Sequence, residues 1–331
     1  MRASLRPLLF ALSALALVPL TSCNYRNAKD TYYLISVNGK LPYWKTVQEG
    51  FNDAAKQYGI TARIVGPENY DPNAEASALS DAVSAHPAGI LISAASAGAL
   101  QGGINDAISA GIPVITVDSD APNSARLYFI GTNNIEAGHL GGERLAEKLH
   151  GKGKVVVFSI PGQPNLDDRL KGYRDILADN PGIQIVGLVN TGGDPNTAFD
   201  SARQYIAQTG AQKIDAFVCL ESASGKDVAE ALKRENAKDR TLIAWDIDPA
   251  TLNLIKQGSM DSTVSQRPYT MGYFGLKMLD EVHHSHHGDF LPSYSTDFLS
   301  PYPVFVDTGS ALISQENVSV YEKPVQQLTQ K

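Results

Sequence analysis

Short apolar runs, each closed by a polar side chain, recur along this chain at strand length. Leu34-Ile35 runs into Ser36, and Val114-Ile115-Thr116-Val117 into Asp118. Phe217-Val218-Cys219-Leu220 ends at Glu221, Leu242-Ile243-Ala244-Trp245 at Asp246, and Ser262-Thr263-Val264-Ser265 at Gln266. Runs this short, flanked by turn residues, are predicted to be strands buried on both faces of a parallel sheet. Two series result. The first is 31–37, 61–65, 89–93, 113–117 and 128–131; the second is 154–159, 183–190, 216–220, 241–245 and 262–265.

Helical periodicity fills the intervals. Trp44, Val47, Phe51, Ala54 and Tyr58 share one face before a stop at Gly59. Leu145 and Leu149 precede Gly151, and Val228, Ala231 and Leu232 repeat the spacing. Asp71-Pro72 and Asp194-Pro195 each set a capping residue before a proline at the first helical position. A helix over 269–282 follows Gln266, then polar sequence and an apolar segment at 303–306. Strand and helix in alternation specify βαβ units. The doubled series predicts an α/β fold of two similar doubly wound parallel-sheet domains joined by a hinge. Crossings are expected at 131–133 and 265–267, giving a first lobe of 31–132 with 267–297 and a second of 133–266 with 298–322, then a tail over 323–331.

In such sheets ligands bind beyond the carboxyl ends of the strands, and interdomain crevices are favoured sites. The strand-end residues of both series therefore predict one polar cleft. Carboxylates accept bonds from several hydroxyls, arginine donates a planar fork, and aromatic faces cover the C–H face of a ring. That combination suits a saccharide or polyol. Strand-end aspartates also suit helix caps, and Arg169 by itself suits a solvated helix position.

A length of 331 residues accommodates two domains, and 43% apolar with 19% charged residues is a soluble globular composition. The formal charge of −7 disfavours nucleic acid and anionic membrane surfaces as partners. Arg2 and Arg6, an apolar stretch over 8–20 and the closing Leu20-Thr21-Ser22-Cys23 read as an export signal over 1–22, too short to span a bilayer. Those last four residues resemble a bacterial lipobox. Cys23 is thus expected to be lipidated and to begin the mature chain, with 23–30 as a tether. Removing Arg2 and Arg6 takes the charge from −7 to −9. A transcription regulator would need a helix-turn-helix where this signal stands. Cys219, inside an apolar run, reads as a small buried hydrophobe, with no disulfide framework.

No nucleophile elbow, metal motif or cofactor motif is recognisable. A glycosidase using two of the carboxylates is the minor alternative. His283-His284-Ser285-His286-His287 reads as a polar helix end, not a metal site, because no carboxylate or cysteine stands at a matching spacing.

Several stretches, in order, resemble the ribose-type periplasmic substrate-binding proteins, whose fold is shared with the ligand-binding core of LacI-type repressors. They are Pro42-Tyr43-Trp44, the run from Gly111 through Asp118-Ser119-Asp120-Ala121-Pro122, and Gly131-Thr132-Asn133-Asn134. Arg169 with Gly172-Tyr173, Trp245-Asp246 and Gln266 complete them, and the likeness extends from about 31 to about 320. The resemblance implies a pocket of Ser36, Tyr43, Trp44, Asp118, Ser119, Arg169, Glu221, Asp246 and Gln266. It implies no cofactor and no enzymatic activity. It implies a monomer that presents a monosaccharide or polyol to ABC permease subunits in the inner membrane, or to a membrane sensor, while held by a lipid anchor outside the cytoplasm. Ribose-specific members carry an arginine directly after the first aspartate and an asparagine before the aromatic pair. Ser119 and Leu41 stand there instead, which argues against ribose itself. Asp118, Glu221, Asp246 and Asp120 are then expected to face Arg169 as the pocket's cation.

Overall fold

The computed structural model describes residues 26–329, apart from 286, 287, 292, 293 and 295. The export signal and Cys23 lie outside the described residues. Strands are β1 (Thr31–Ile35), β2 (Thr61–Val65), β3 (Gly89–Ile92), β4 (Val114–Val117), β5 (Phe129–Gly131) and β6 (Gly153–Ser159). β7 (Ile183–Asn190), β8 (Ala216–Cys219), β9 (Thr241–Trp245), β10 (Ser262–Ser265), β11 (Phe305–Asp307) and β12 (Ala311–Ser314) follow. Helices are α1 (Pro42–Tyr58), α2 (Pro72–Ser84), α3 (Ala97–Ser109), α4 (Asn134–Lys148) and α5 (Pro164–Ala178). α6 (Pro195–Ile206), α7 (Ser224–Arg234), α8 (Pro249–Lys256), α9 (Pro268–Ser285) and α10 (Val318–Thr329) complete them.

Two six-stranded sheets form, ordered β11-β5-β4-β3-β1-β2 and β12-β10-β9-β8-β6-β7. Their first five strands repeat the same winding, so β4 of one lobe corresponds to β9 of the other. Both sheets have the doubly wound order whose switch point lies beside the first strand, where a crevice opens. The inner strands β3, β4, β8 and β10 are buried at every position; β3 and β8 are wholly apolar or glycine, while β4 and β10 also bury threonine or serine. Asp71 and Asp194 cap α2 and α6, accepting from backbone N–H groups at 3.0 Å.

The sixth strands depart from expectation. β11 pairs in parallel with β5, with Phe305 opposite Phe129, so residues 305–307 belong to the first lobe and not, as the sequence suggested, to the second. The Phe129 and Phe305 rings stack with centroids 5.2 Å apart, and the Phe129 N–H donates to Val304 O at 3.1 Å. Such a short, half-exposed edge strand has too few residues to advertise its partner. The third crossing therefore lies at 308–310, after which β12, unforeseen, pairs antiparallel with β10.

Close helix packing seats the second lobe's contribution to the crevice. A Cβ on Gly138 of α4 would lie 2.4 Å from Arg169 O, and one on Gly172 of α5 would lie 2.2 Å from Ile135 O. Only glycine permits this approach, and the approach sets where the backbone of Arg169 stands.

Candidate functional site: a polar cleft between the lobes

Asp118 follows β4 and Asp246 follows β9, both with left-handed backbones of φ 64° and 66°. Aspartate tolerates that conformation better than bulkier residues. Each is fastened by its own N–H to the neighbouring strand, Asp118 to Ile130 O at 3.2 Å and Asp246 to Val264 O at 2.8 Å. The turn lifts both carboxylates off the sheet into a cavity lined by the two lobes.

Asp118 is held from both sides. Tyr43, in the first turn of α1, donates its hydroxyl to Oδ1 at 2.6 Å, and Asn165 of the second lobe donates to Oδ2 at 3.1 Å. Trp44 packs edge-on against Tyr43, with ring centroids 5.5 Å apart, and both rings line the cavity. Arg169 stands one turn beyond Asn165 on α5. Its Nε donates to Asn134 Oδ1 at 2.9 Å and its Nη1 to Leu220 O at 2.7 Å. The guanidinium lies 4.0 Å over the Trp245 ring. Its buried Nη2 has no hydrogen-bond partner within the protein, and neither has Gln163 Oε1. Buried polar atoms are rarely left so, and both residues line the cavity.

Gln266 joins two of the crossings to the site. Its Nε2 donates to Asp246 Oδ1 at 2.9 Å, and its Oε1 accepts from the Thr132 hydroxyl at 2.8 Å. Across the mouth, the loops before α2 and α6 meet: a Cβ on Gly193 would lie 2.9 Å from Tyr70 Cβ. The free space, about 50 Å³ for the centre of a water-sized sphere, is several times what one water needs. It admits a single small molecule.

Glu221 lines this cavity, yet its oxygens accept from the N–H groups of Ala223 at 2.5 Å and Ser224 at 3.1 Å, and from the Ser224 hydroxyl. The helix-capping role that the sequence left open for the aspartates thus falls to Glu221, at the start of α7. Burial pushes Glu221 up to about 7 and Asp246 up to about 6. Burial also raises Asp118, against the pull of Arg169 and of the Tyr43 hydrogen bond.

Three expected residues stand elsewhere. The Ser119 hydroxyl donates to Ala94 O at 2.7 Å, tying β4 to the end of β3, and supplies no donor to the cavity. Ser36 is buried at the end of β1, outside the lining. Asp120 is gripped by Arg126, whose Nε and Nη2 each donate at 2.6 Å, and does not face the cleft. Arg169 is the one cation among the described residues lining it. Asn38, Gln163 and Asn165 line the cavity without having been foreseen; the four-residue spacing of Asn165 and Arg169 was the available signal for one of them.

A model of the periplasmic binding protein domain matches residues 32–284. The chain is similar to the xylose/arabinose-binding protein XylF of Sulfolobus acidocaldarius, 25% identical over 85% of this chain and 70% of that protein. It is similar to the ribose import binding protein RbsB of Bacillus subtilis, 25% identical over 83% of this chain and 90% of that one. Among solved structures it is similar to a sugar-binding protein of a sugar ABC transporter from Bacillus halodurans. There the identity is 32%, the TM-score 0.75, and the coverage 88% of this chain and 100% of that chain. With two matching lobes and a polar cleft between their strand ends, the chain belongs to the periplasmic binding protein family, among its ribose-type sugar-binding members.

Proposed function

We propose that this protein is an extracytoplasmic lipoprotein that captures one monosaccharide or polyol between its lobes and delivers it to an ABC-type permease. One observation carries the reading. Asp118, Asp246 and the unpartnered Nη2 of Arg169 converge, beside Tyr43 and Trp44, on a cavity sized for a single small molecule. Carboxylates and a guanidinium satisfy hydroxyls from several directions, and the aromatic pair offers an apolar wall. The likeness to proteins that bind xylose, arabinose and ribose supports the same ligand class. The reading is binding without transformation: Glu221 is held as a helix cap, and the similar proteins are binding proteins for xylose, arabinose and ribose.

Mass spectrometry of ligand released from the purified protein, followed by a thermal-shift panel of pentoses, hexoses and polyols, tests the reading. A true ligand raises the melting temperature with concentration as RT ln(1 + [L]/Kd). Turnover of a glycoside, abolished by Glu221→Gln, would overturn it in favour of an enzyme. For the anchor, Cys23→Ser should move the protein from the membrane fraction to the soluble fraction. A wild-type protein already wholly soluble would leave a freely diffusing binder.

A further inference from the structure

The fold brings a carboxylate remote in sequence to the histidine run. Asp30, the last residue before β1, meets the end of α9, where His284 Nε2 lies 3.2 Å from Asp30 Oδ2. One ligand atom from each of Asp30, His283 and His284 falls within 4.8 Å of the others. We infer that these three side chains form a binding site for a nitrogen-preferring divalent cation such as Zn²⁺, remote from the sugar cleft and pinning the root of the N-terminal tether to α9.

Zinc takes imidazole nitrogen and carboxylate oxygen at about 2.0–2.2 Å, which puts tetrahedral ligands roughly 3.4 Å from one another. The Asp30–His284 pair already has that spacing, and His283 needs to move by about an ångström, within the reach of an exposed side chain. Two imidazoles with one carboxylate suit zinc, nickel or copper and suit magnesium or calcium poorly. Lys29 and Arg63 line the adjoining surface cavity with Asp30 and His283, which further disfavours a hard ion held by charge alone. That cavity leaves the fourth coordination position reachable by water.

A second carboxylate stands beside the same His284 nitrogen and adds negative charge to the site. Asp280, fully buried, lies 3.6 Å from His284 Nε2 through Oδ1 and is fixed by the Tyr32 hydroxyl at 3.3 Å and by Arg26 Nε at 2.5 Å.

Calorimetric titration of the untagged protein, as exported by its host, with ZnCl₂ and separately with MgCl₂ tests the site. One equivalent of Zn²⁺ should bind, Mg²⁺ should give no heat of binding, and Zn²⁺ should raise the melting temperature. Asp30→Asn and His283→Gln should each weaken Zn²⁺ at least tenfold while leaving affinity for the sugar ligand within twofold. Circular dichroism of each variant checks that it folds. The paired substitution His286→Ala with His287→Ala should leave Zn²⁺ affinity within threefold. If that pair abolishes binding, or if Asp30→Asn binds as tightly as the wild type, the histidine run alone captures metal and the inference fails. Failure of the wild type to bind Zn²⁺ also overturns it, without bearing on sugar binding.

Discussion

Asp118 and Asp246 are counterparts in two copies of one winding, each placed directly after the fourth strand of its sheet and each turned left-handed there. One comes from each lobe, so a ligand that bonds both carboxylates bridges the lobes. Affinity and closure are then the same event, since a ligand shifts the equilibrium only by its differential affinity for open and closed forms.

Removing one of the pair should show this directly. Asp246→Ala should cost about 1.5–3 kcal/mol of binding free energy, the range for hydrogen bonds to a charged group. Arg169→Ala should cost at least as much, because the buried carboxylates then lose their cation. Titration calorimetry on the identified ligand reads both. A smaller loss for Arg169→Ala would show that its guanidinium serves the Trp245 stack more than the ligand.

Charge selectivity follows from three carboxylates facing one guanidinium. A neutral or amino-bearing sugar should bind more tightly than the matched uronic acid or sugar phosphate, because an added anion has no cation besides Arg169 to meet. Calorimetry with a sugar, its uronic acid and its amino derivative decides. Tightest binding by the acid would contradict the reading of the pocket.

The raised carboxyls predict a pH dependence of stability in the ligand-free closed form. A carboxyl whose folded value lies above its unfolded one holds more protons when folded, so its contribution falls as pH rises. For Glu221, ordinarily 4.5 and here about 7, and for Asp246, ordinarily 3.8 and here about 6, the window runs from about 4 to 7. Denaturant midpoints should therefore rise as pH falls from 8 to 5, and less steeply in Glu221→Gln. An identical slope in that variant would place the proton uptake elsewhere.

Gly138→Ala tests how Arg169 is positioned. Its methyl group would meet Arg169 O at 2.4 Å, forcing α4 and α5 apart. Overpacking of this kind costs about 1–3 kcal/mol of stability, and ligand affinity should fall as well, although residue 138 does not line the cavity. Unchanged affinity in a folded variant would show that Arg169 tolerates the shift.

Closure should be visible in solution. The crossings at 131–133, 265–267 and 308–310 join the lobes, and Thr132 and Gln266 are bonded to one another across two of them. Small-angle scattering should give a smaller radius of gyration on adding ligand to stripped protein. An unchanged profile at saturation would indicate a protein that is closed without ligand.

Much of this was legible in the chain. Unbroken apolar runs such as Phe217 to Leu220 have one physical home, a strand covered on both faces, and doubling of the series implied doubling of the lobe. The polar residues that end those runs, Asp118, Asp246 and Gln266, stand in the cleft because a strand end is a local property that leads to a defined edge of the sheet. What the chain did not disclose is where each side chain turns and what it meets. Ser119 and Asp120 follow Asp118 directly, yet one bonds Ala94 and the other Arg126, partners brought near by the packing of β3, β4 and β5. Asn165 reaches Asp118, and Asp30 reaches His284, only because distant segments are folded side by side. Periodicity and strand ends are written within a few residues and so can be read from sequence. Hydrogen-bond partners and ion ligands depend on contacts between remote segments, which only the tertiary structure decides.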